Sequence, residues 1–320
     1  MAVAVEPISR LPVAVTDSAP SRRGLLILAG LAFGVGLAVI WSFAIVDASI
    51  GDRIANGLLG YNAKDTTLTG ATMGALFAFV TDIAGTFTAC NIAVFSAIAP
   101  LMGQKRSFGS KLAEMAKPLG WLGLGMCAVA GVYGAIGAAI GTRIPQLSDA
   151  TIGQGTPPFP VRLIQSSVVF GVIGLILIYL GLAALKVVPN PLQRLYERHP
   201  RAQLVIMGGL IGGFLIGRPF ALFHKLFLYA AERHNPLYGA SVFILQAVGN
   251  VIILAAAFLL LAYGTRGKLQ EWLASKPGRV AAVTAFALIA GGAFFVAYWD
   301  VRLPSIFVHY WWPTMPWNAG

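Results

Sequence analysis

Apolar runs long enough to cross a bilayer follow one another along almost the whole chain. They lie at about 24–46, 68–101, 118–141, 163–186, 203–223, 238–263 and 280–299. About twenty residues rising 1.5 Å each cover the hydrocarbon core, so each run suffices for a transmembrane helix. The second run is too long for one straight crossing, and its first turns or its end near Pro100 are expected to bend or to lie outside the core. With 57% hydrophobic and 11% charged residues, the chain does not have the composition of a soluble domain. The expected fold class is an all-α membrane protein of about seven transmembrane helices. The connecting segments are too short for a second folded domain.

Lysine and arginine orient these spans. Arg10, Arg22 and Arg23 precede the first. Lys105, Arg106, Lys111 and Lys117 follow the second, Lys186, Arg194, Arg198 and Arg201 the fourth, and Arg266, Lys268, Lys276 and Arg279 the sixth. Those loops hold fifteen of the twenty-three basic residues; the alternate loops and the C-terminal segment hold seven, and Arg218 alone falls inside a span. By the positive-inside rule the N-terminus is cytoplasmic and the C-terminus outside; the expected location is a bacterial inner membrane. The net charge of +11 is then mostly topology, not a nucleic-acid footprint. The expected contact of these basic loops is membrane lipid.

Without the first span, 24–46, six remain in two triplets, 68–186 and 203–299. The first triplet starts outside and the second inside. A unit of three crossings inverts when repeated, so the two have opposite topology. Each opens with a Gly-rich helix that is interrupted: Thr88-Ala-Cys90-Asn91 in the first, Arg218-Pro219-Phe220 in the second. Interrupted helices at corresponding places in two inverted halves point to a functional centre. That centre is expected near Cys90 and Phe220, with Asn91 and Pro219 beside them.

The residues around these breaks resemble the CcdA/DsbD-like transmembrane family. The matching stretches are Thr88-Ala-Cys90, Gly217-Arg-Pro-Phe-Ala-Leu-Phe223 and Ala230-Ala-Glu-Arg-His-Asn-Pro-Leu-Tyr-Gly-Ala240, and the resemblance covers roughly 68–299. It implies a six-helix core that passes reducing equivalents across the membrane, with Cys90 as a reactive thiol. It also implies a periplasmic thioredoxin-like protein and a client enzyme as partners. The departures are specific. Ala89 stands where the family has a proline, and Phe220 where it has its second cysteine. Thiol–disulfide exchange needs a second thiol to resolve a mixed disulfide. The remaining cysteine, Cys127, lies in the middle of the next helix and reads as a small packing residue. A divergent branch of the MauF type, tied to methylamine utilisation and to quinoprotein maturation, fits a chain that has lost the pair.

Other polar residues in the spans complete the candidate set. Asp82 is eight residues before Cys90, and Arg218 two before Phe220. Intramembrane charges usually face a bundle interior. If Cys90 and Phe220 meet at the midplane, straight helices put Asp82 about 12 Å outward and Arg218 about 3 Å inward. A direct pair would then need broken or shifted helices; otherwise Asp82 sits near the outer interface and Arg218 caps carbonyls freed at Pro219. Gln246 and Asn250 are four apart on one helical face, either as packing glue or as a lining of the centre. The four histidines have no metal-ligand spacing, and no nucleotide motif is present, so neither metal nor cofactor is expected.

At the ends, 1–23 reads as a disordered cytoplasmic tail. Ser21-Arg22-Arg23 before an apolar run could open a cleaved export signal, but the run is long and an uncleaved anchor is expected. The Pro- and Gly-rich loop 142–162 reads as an exposed outside segment. The Trp-rich tail 300–320 reads as an aromatic belt at the headgroups or an anchor for a partner. Three function classes follow: an accessory protein for redox maturation of a periplasmic enzyme, a transporter of a small solute or ion, and a non-catalytic membrane anchor.

Overall fold

The computed structural model describes residues 22–85, 108–153, 157–199, 201–219, 221–264, 268, 272, 275–276 and 278–318. Cys90, Asn91 and Phe220 lie outside these residues, as does most of the 1–23 tail. Helices dominate in chain order. α1 (Arg23–Ile40) is followed by a wide π-type turn (Ala44–Gly51), α2 (Asp52–Leu59) and α3 (Gly70–Gly85). Then come α4 (Phe108–Ile140), α5 (Val161–Ala184), α6 (Gln193–Arg198), α7 (Ala202–Gly212), α8 (Phe214–Gly217) and α9 (Ala221–Glu232). α10 (Pro236–Gly264), α11 (Arg279–Phe295), a second π-type segment (Val296–Arg302) and α12 (Leu303–Val308) complete the chain. A two-residue hairpin, β1 (Thr151–Ile152) with β2 (Phe159–Pro160), lies between α4 and α5.

Among the described residues, five segments are long and apolar enough to cross a membrane: Arg23–Ile40, Lys117–Arg143, Val161–Ala184, Pro236–Ile253 and Arg279–Val308. The bent pair Ala202–Gly217 and Ala221–Glu232 is a broken span, which makes a sixth, or a re-entrant loop. The protein is therefore a multi-pass, all-α membrane protein. The expected second span, 68–101, is represented by α3, and its remainder lies outside the described residues. The expected fifth span, 203–223, is not one straight crossing: α9 leaves the axis of α7–α8 at 86°.

Close approaches between small residues fix the direction of each helix. A Cβ on Gly239 of α10 would lie 2.3 Å from the Gly134 carbonyl of α4, while Gly123 of α4 faces Val251, so α4 and α10 run antiparallel. Gly208 of α7 abuts Leu122 and Gly212 abuts Met126, so α7 runs parallel to α4. Gly74 of α3 abuts Tyr238, and Gly249 abuts Phe79, so α3 runs parallel to α10. Gly174 faces Gly292 and Gly181 faces Ala285, so α5 and α11 are antiparallel; α1 runs parallel to α11 through Gly30 and Gly34. Gly213 and Gly217 face Ile173 and then Phe170, which sets α8 against α5. Hence α1, α4, α7–α8 and α11 point one way, and α3, α5 and α10 the other. Lipid tails are as apolar as leucine, so such helices associate through packing, and glycine lets the backbones meet.

The end of α1 is tied down by the C-terminal segment. α1 stops at Ile40, short of the expected 46, because Trp41 turns to extended backbone (ψ 133). The carbonyls released there are taken by the C-terminal segment. The Arg302 guanidinium donates to Ala38 O (2.7 Å) and Trp41 O (2.5 Å), Trp317 Nε1 to Ile40 O (2.9 Å), and Asn318 Nδ2 to Trp41 O (3.0 Å). The aromatic tail is thus a cap on α1, with Trp311 left 85% exposed.

Candidate functional site

The site begins at Pro219. Proline has no N–H, and its ring collides with the carbonyl four residues back, that of Leu215. It also forces the preceding residue out of the helical region. Arg218 accordingly adopts φ −74 and ψ 112, and α8 ends at Gly217. Carbonyls freed in this way inside a bundle need donors. Two glutamine amides supply them. Gln146 Nε2 donates to Arg218 O (2.9 Å) and more weakly to Leu215 O (3.4 Å), and Gln165 Nε2 donates to Ile216 O (2.7 Å). Tyr133 ties the amides together: its hydroxyl donates to Gln146 Oε1 and accepts from Gln165 Nε2 (3.3 Å).

The loop 142–162 is therefore not simply an exposed segment. Ile144, Gln146 and Leu147 are buried and plug the space beside the break, whereas Thr151 and Ile152 of the hairpin are exposed. Neutral amides at the edges of apolar runs are too common to single out. No sequence signal marked Gln146, Gln165 or Tyr133.

Arg218 itself reaches α3. Its Nη1 donates to Asp82 Oδ1 at 2.8 Å, and the two side chains are 4% and 1% exposed. The axial reckoning that kept these residues apart assumed straight helices with Cys90 and Phe220 level. The break at Arg218 removes that assumption. Asp82 is thus not at a wet interface but fully buried.

Asp82 lies on the α10 side of α3. A Cβ on Gly249 would sit 3.5 Å from Asp82 Cβ, so α3 and α10 are in contact at that level. Asn250 is 6% exposed and Gln246 fully buried. Among the described residues neither amide atom of Gln246 has a hydrogen-bond partner. Thr81 beside Asp82 returns its hydroxyl to Phe77 O (2.7 Å). On the other side of the centre, Phe223 and Phe227 of α9 pack on Phe243 of α10 with ring centres 5.6 and 5.1 Å apart.

Of the residues singled out in the sequence, Asp82, Arg218, Pro219, Gln246 and Asn250 thus sit in the interior where α3, α8–α9 and α10 meet. Cys90, Asn91 and Phe220 lie outside the described residues. Cys127 is a free thiol, half-buried against the core. Among the described residues no group of three His, Cys, Asp or Glu is placed to hold a metal ion. The arrangement can hold opposite charges out of water; its neutral sum limits the cost of burial. No family model, curated protein or solved structure matches the chain.

Proposed function

We propose that the protein is an inner-membrane accessory factor for redox maturation or assembly of an enzyme on the outer side, built on the plan of a CcdA/DsbD-like thiol–disulfide carrier. The observation that carries this reading is the Asp82–Arg218 ion pair. It joins the helix that leads to Cys90 to the helix broken at Pro219. Those are the two interrupted elements that the resemblance sets face to face.

The helix directions support an inverted repeat. Exchange α3 with α7–α8, α4 with α10, and α5 with α11. The parallel α4/α7 contact then maps onto the parallel α10/α3 contact. The antiparallel α4/α10 and α5/α11 contacts map onto themselves. Cys90 is the thiol that would act, with a periplasmic thioredoxin-like protein and a client enzyme, of the methylamine dehydrogenase quinoprotein type, as partners. Phe220 removes the resolving thiol, so Cys90 would need a partner's thiol to complete exchange.

Replacement of single cysteines tests this. In a deletion strain of the native host, thiol-labelling mass spectrometry of exported proteins should reveal a set with altered disulfides. Cys127→Ala should restore the wild-type pattern, and Cys90→Ser should not, although it inserts normally. Full complementation by Cys90→Ser would leave the resemblance as a description of scaffold alone.

A second reading, transport of a small solute or ion, is favoured by one specific observation. α3, which carries the buried ion pair, packs on α10, which carries a fully buried glutamine whose amide has no partner among the described residues. Intramembrane charges at broken helices commonly mark a solute path.

A further inference from the structure

We propose that the centre is an exchangeable binding site for a small carboxylate anion, in which the Asp82 carboxylate holds the place of the solute's own. This concerns binding and stands apart from thiol chemistry: no variant below touches Cys90.

Three features converge on the anion. The first is the Arg218 guanidinium, 4% exposed and already engaged with a carboxylate oxygen at 2.8 Å. Arginine presents several donors in one plane and matches carboxylates geometrically. The second is the amino end of α9, a helix of twelve residues that starts just after the break. The N–H groups of a helix's first turn lack partners within it and favour negative charge. Half-helix amino ends at broken spans receive anionic groups in the same way.

The third is Gln246. At 3.6 residues per turn it lies midway around α10, about 60° from Phe243 on one side and from Gly249 on the other. Phe243 meets Phe223 in the first turn of α9, and Gly249 meets Asp82 of α3. Along the helix, too, Gln246 falls between those two contacts. Its side chain therefore leaves α10 between the α9 contact and the Asp82 contact, and it is fully buried with no partner among the described residues. A buried amide without partners is costly, and its Nε2 would donate to a bound carboxylate. Aspartate is the internal competitor: when a solute's carboxylate takes its place on Arg218, Asp82 takes up one proton, and the charge of the site is then unchanged.

The test is chemical replacement of that carboxylate. Full-length protein in lipid nanodiscs would be melted in sodium acetate, in sodium chloride of equal ionic strength, and in acetamide. Asp82→Ala should melt below wild type in chloride. Saturating acetate should raise its Tm by about 5 °C or more, as expected for a ligand at about a hundred times its Kd. Acetamide, of the same shape without the charge, should not. Adding Gln246→Leu to Asp82→Ala should weaken acetate about tenfold, the loss expected for a hydrogen bond to a charged group. Equal melting in acetate and chloride, or equal rescue by acetamide, would overturn the proposal. Should Asp82→Ala not fold, saturation-transfer NMR with acetate on the wild-type protein decides. Saturable binding that Gln246→Leu weakens about tenfold is expected, and an absence of saturable binding refutes the site.

Discussion

A single rotation of backbone at Arg218 decides where two charges end up. Extended at ψ 112, the chain releases Arg218 from α8 and lets its side chain reach Asp82. Breaking a buried pair by removing one partner leaves an uncompensated charge and costs about 3–5 kcal/mol, whereas apolar replacement of both is often nearly neutral. Arg218→Gln and Asp82→Asn should therefore each destabilise strongly, and Asp82→Leu with Arg218→Leu should recover most of the loss, as read by thermal denaturation in detergent. Gln146→Leu should cost about 1–3 kcal/mol by the same assay, since it strips the Arg218 carbonyl of its donor. The residues of the pair were legible in the sequence, because charge inside an apolar run is rare. Their contact was not, because axial distance along straight helices says nothing once a helix bends. Gln146 and Gln165 were invisible for a different reason: an amide bonded to a carbonyl far along the chain leaves no periodic trace.

At the scale of elements, packing without a hydrophobic drive depends on how closely backbones approach. Gly134 and Gly239 carry the α4/α10 crossing, where a Cβ on Gly239 would lie 2.3 Å from a carbonyl oxygen. Gly239→Leu should therefore lose monodisperse protein in size-exclusion chromatography. Gly36→Leu, at a position where an added Cβ meets nothing within 4 Å, should leave it unchanged. The apolar runs announced α1, α4, α5, α10 and α11 directly, since span length is a property of composition. They did not announce that the 203–223 run ends early and continues sideways as α9. A proline marks a break, but the new direction is chosen by what the next segment packs on. For α9 that is the interior: Leu222, Phe223, Leu226, Phe227, Ala230 and Ala231 are all buried. Likewise the tail's Trp residues suggested an interface, while the need of α1's last carbonyls for donors sent Trp317 and Asn318 back to the bundle.

Over the whole molecule, the alternating helix directions fit the alternation of basic and neutral loops, and both follow from one proposed topology of seven crossings. Single cysteines placed in the loops of a Cys-free background should be labelled from the outside at 142–162 and from the inside at 103–117; the reverse labelling would remove that orientation. The account as a whole rests on the two interrupted helices meeting at the centre of the membrane. The most direct measurement is oxidative crosslinking of Phe220→Cys to Cys90 with Cys127→Ala in the same chain, read by mass spectrometry of the intact protein and its peptides. A Cys90–220 disulfide under mild oxidant is the predicted result, since a bridge requires Cα atoms closer than about 7 Å. Failure of that bond to form in protein that retains its fold would mean that the two breaks do not face each other, and would contradict the account.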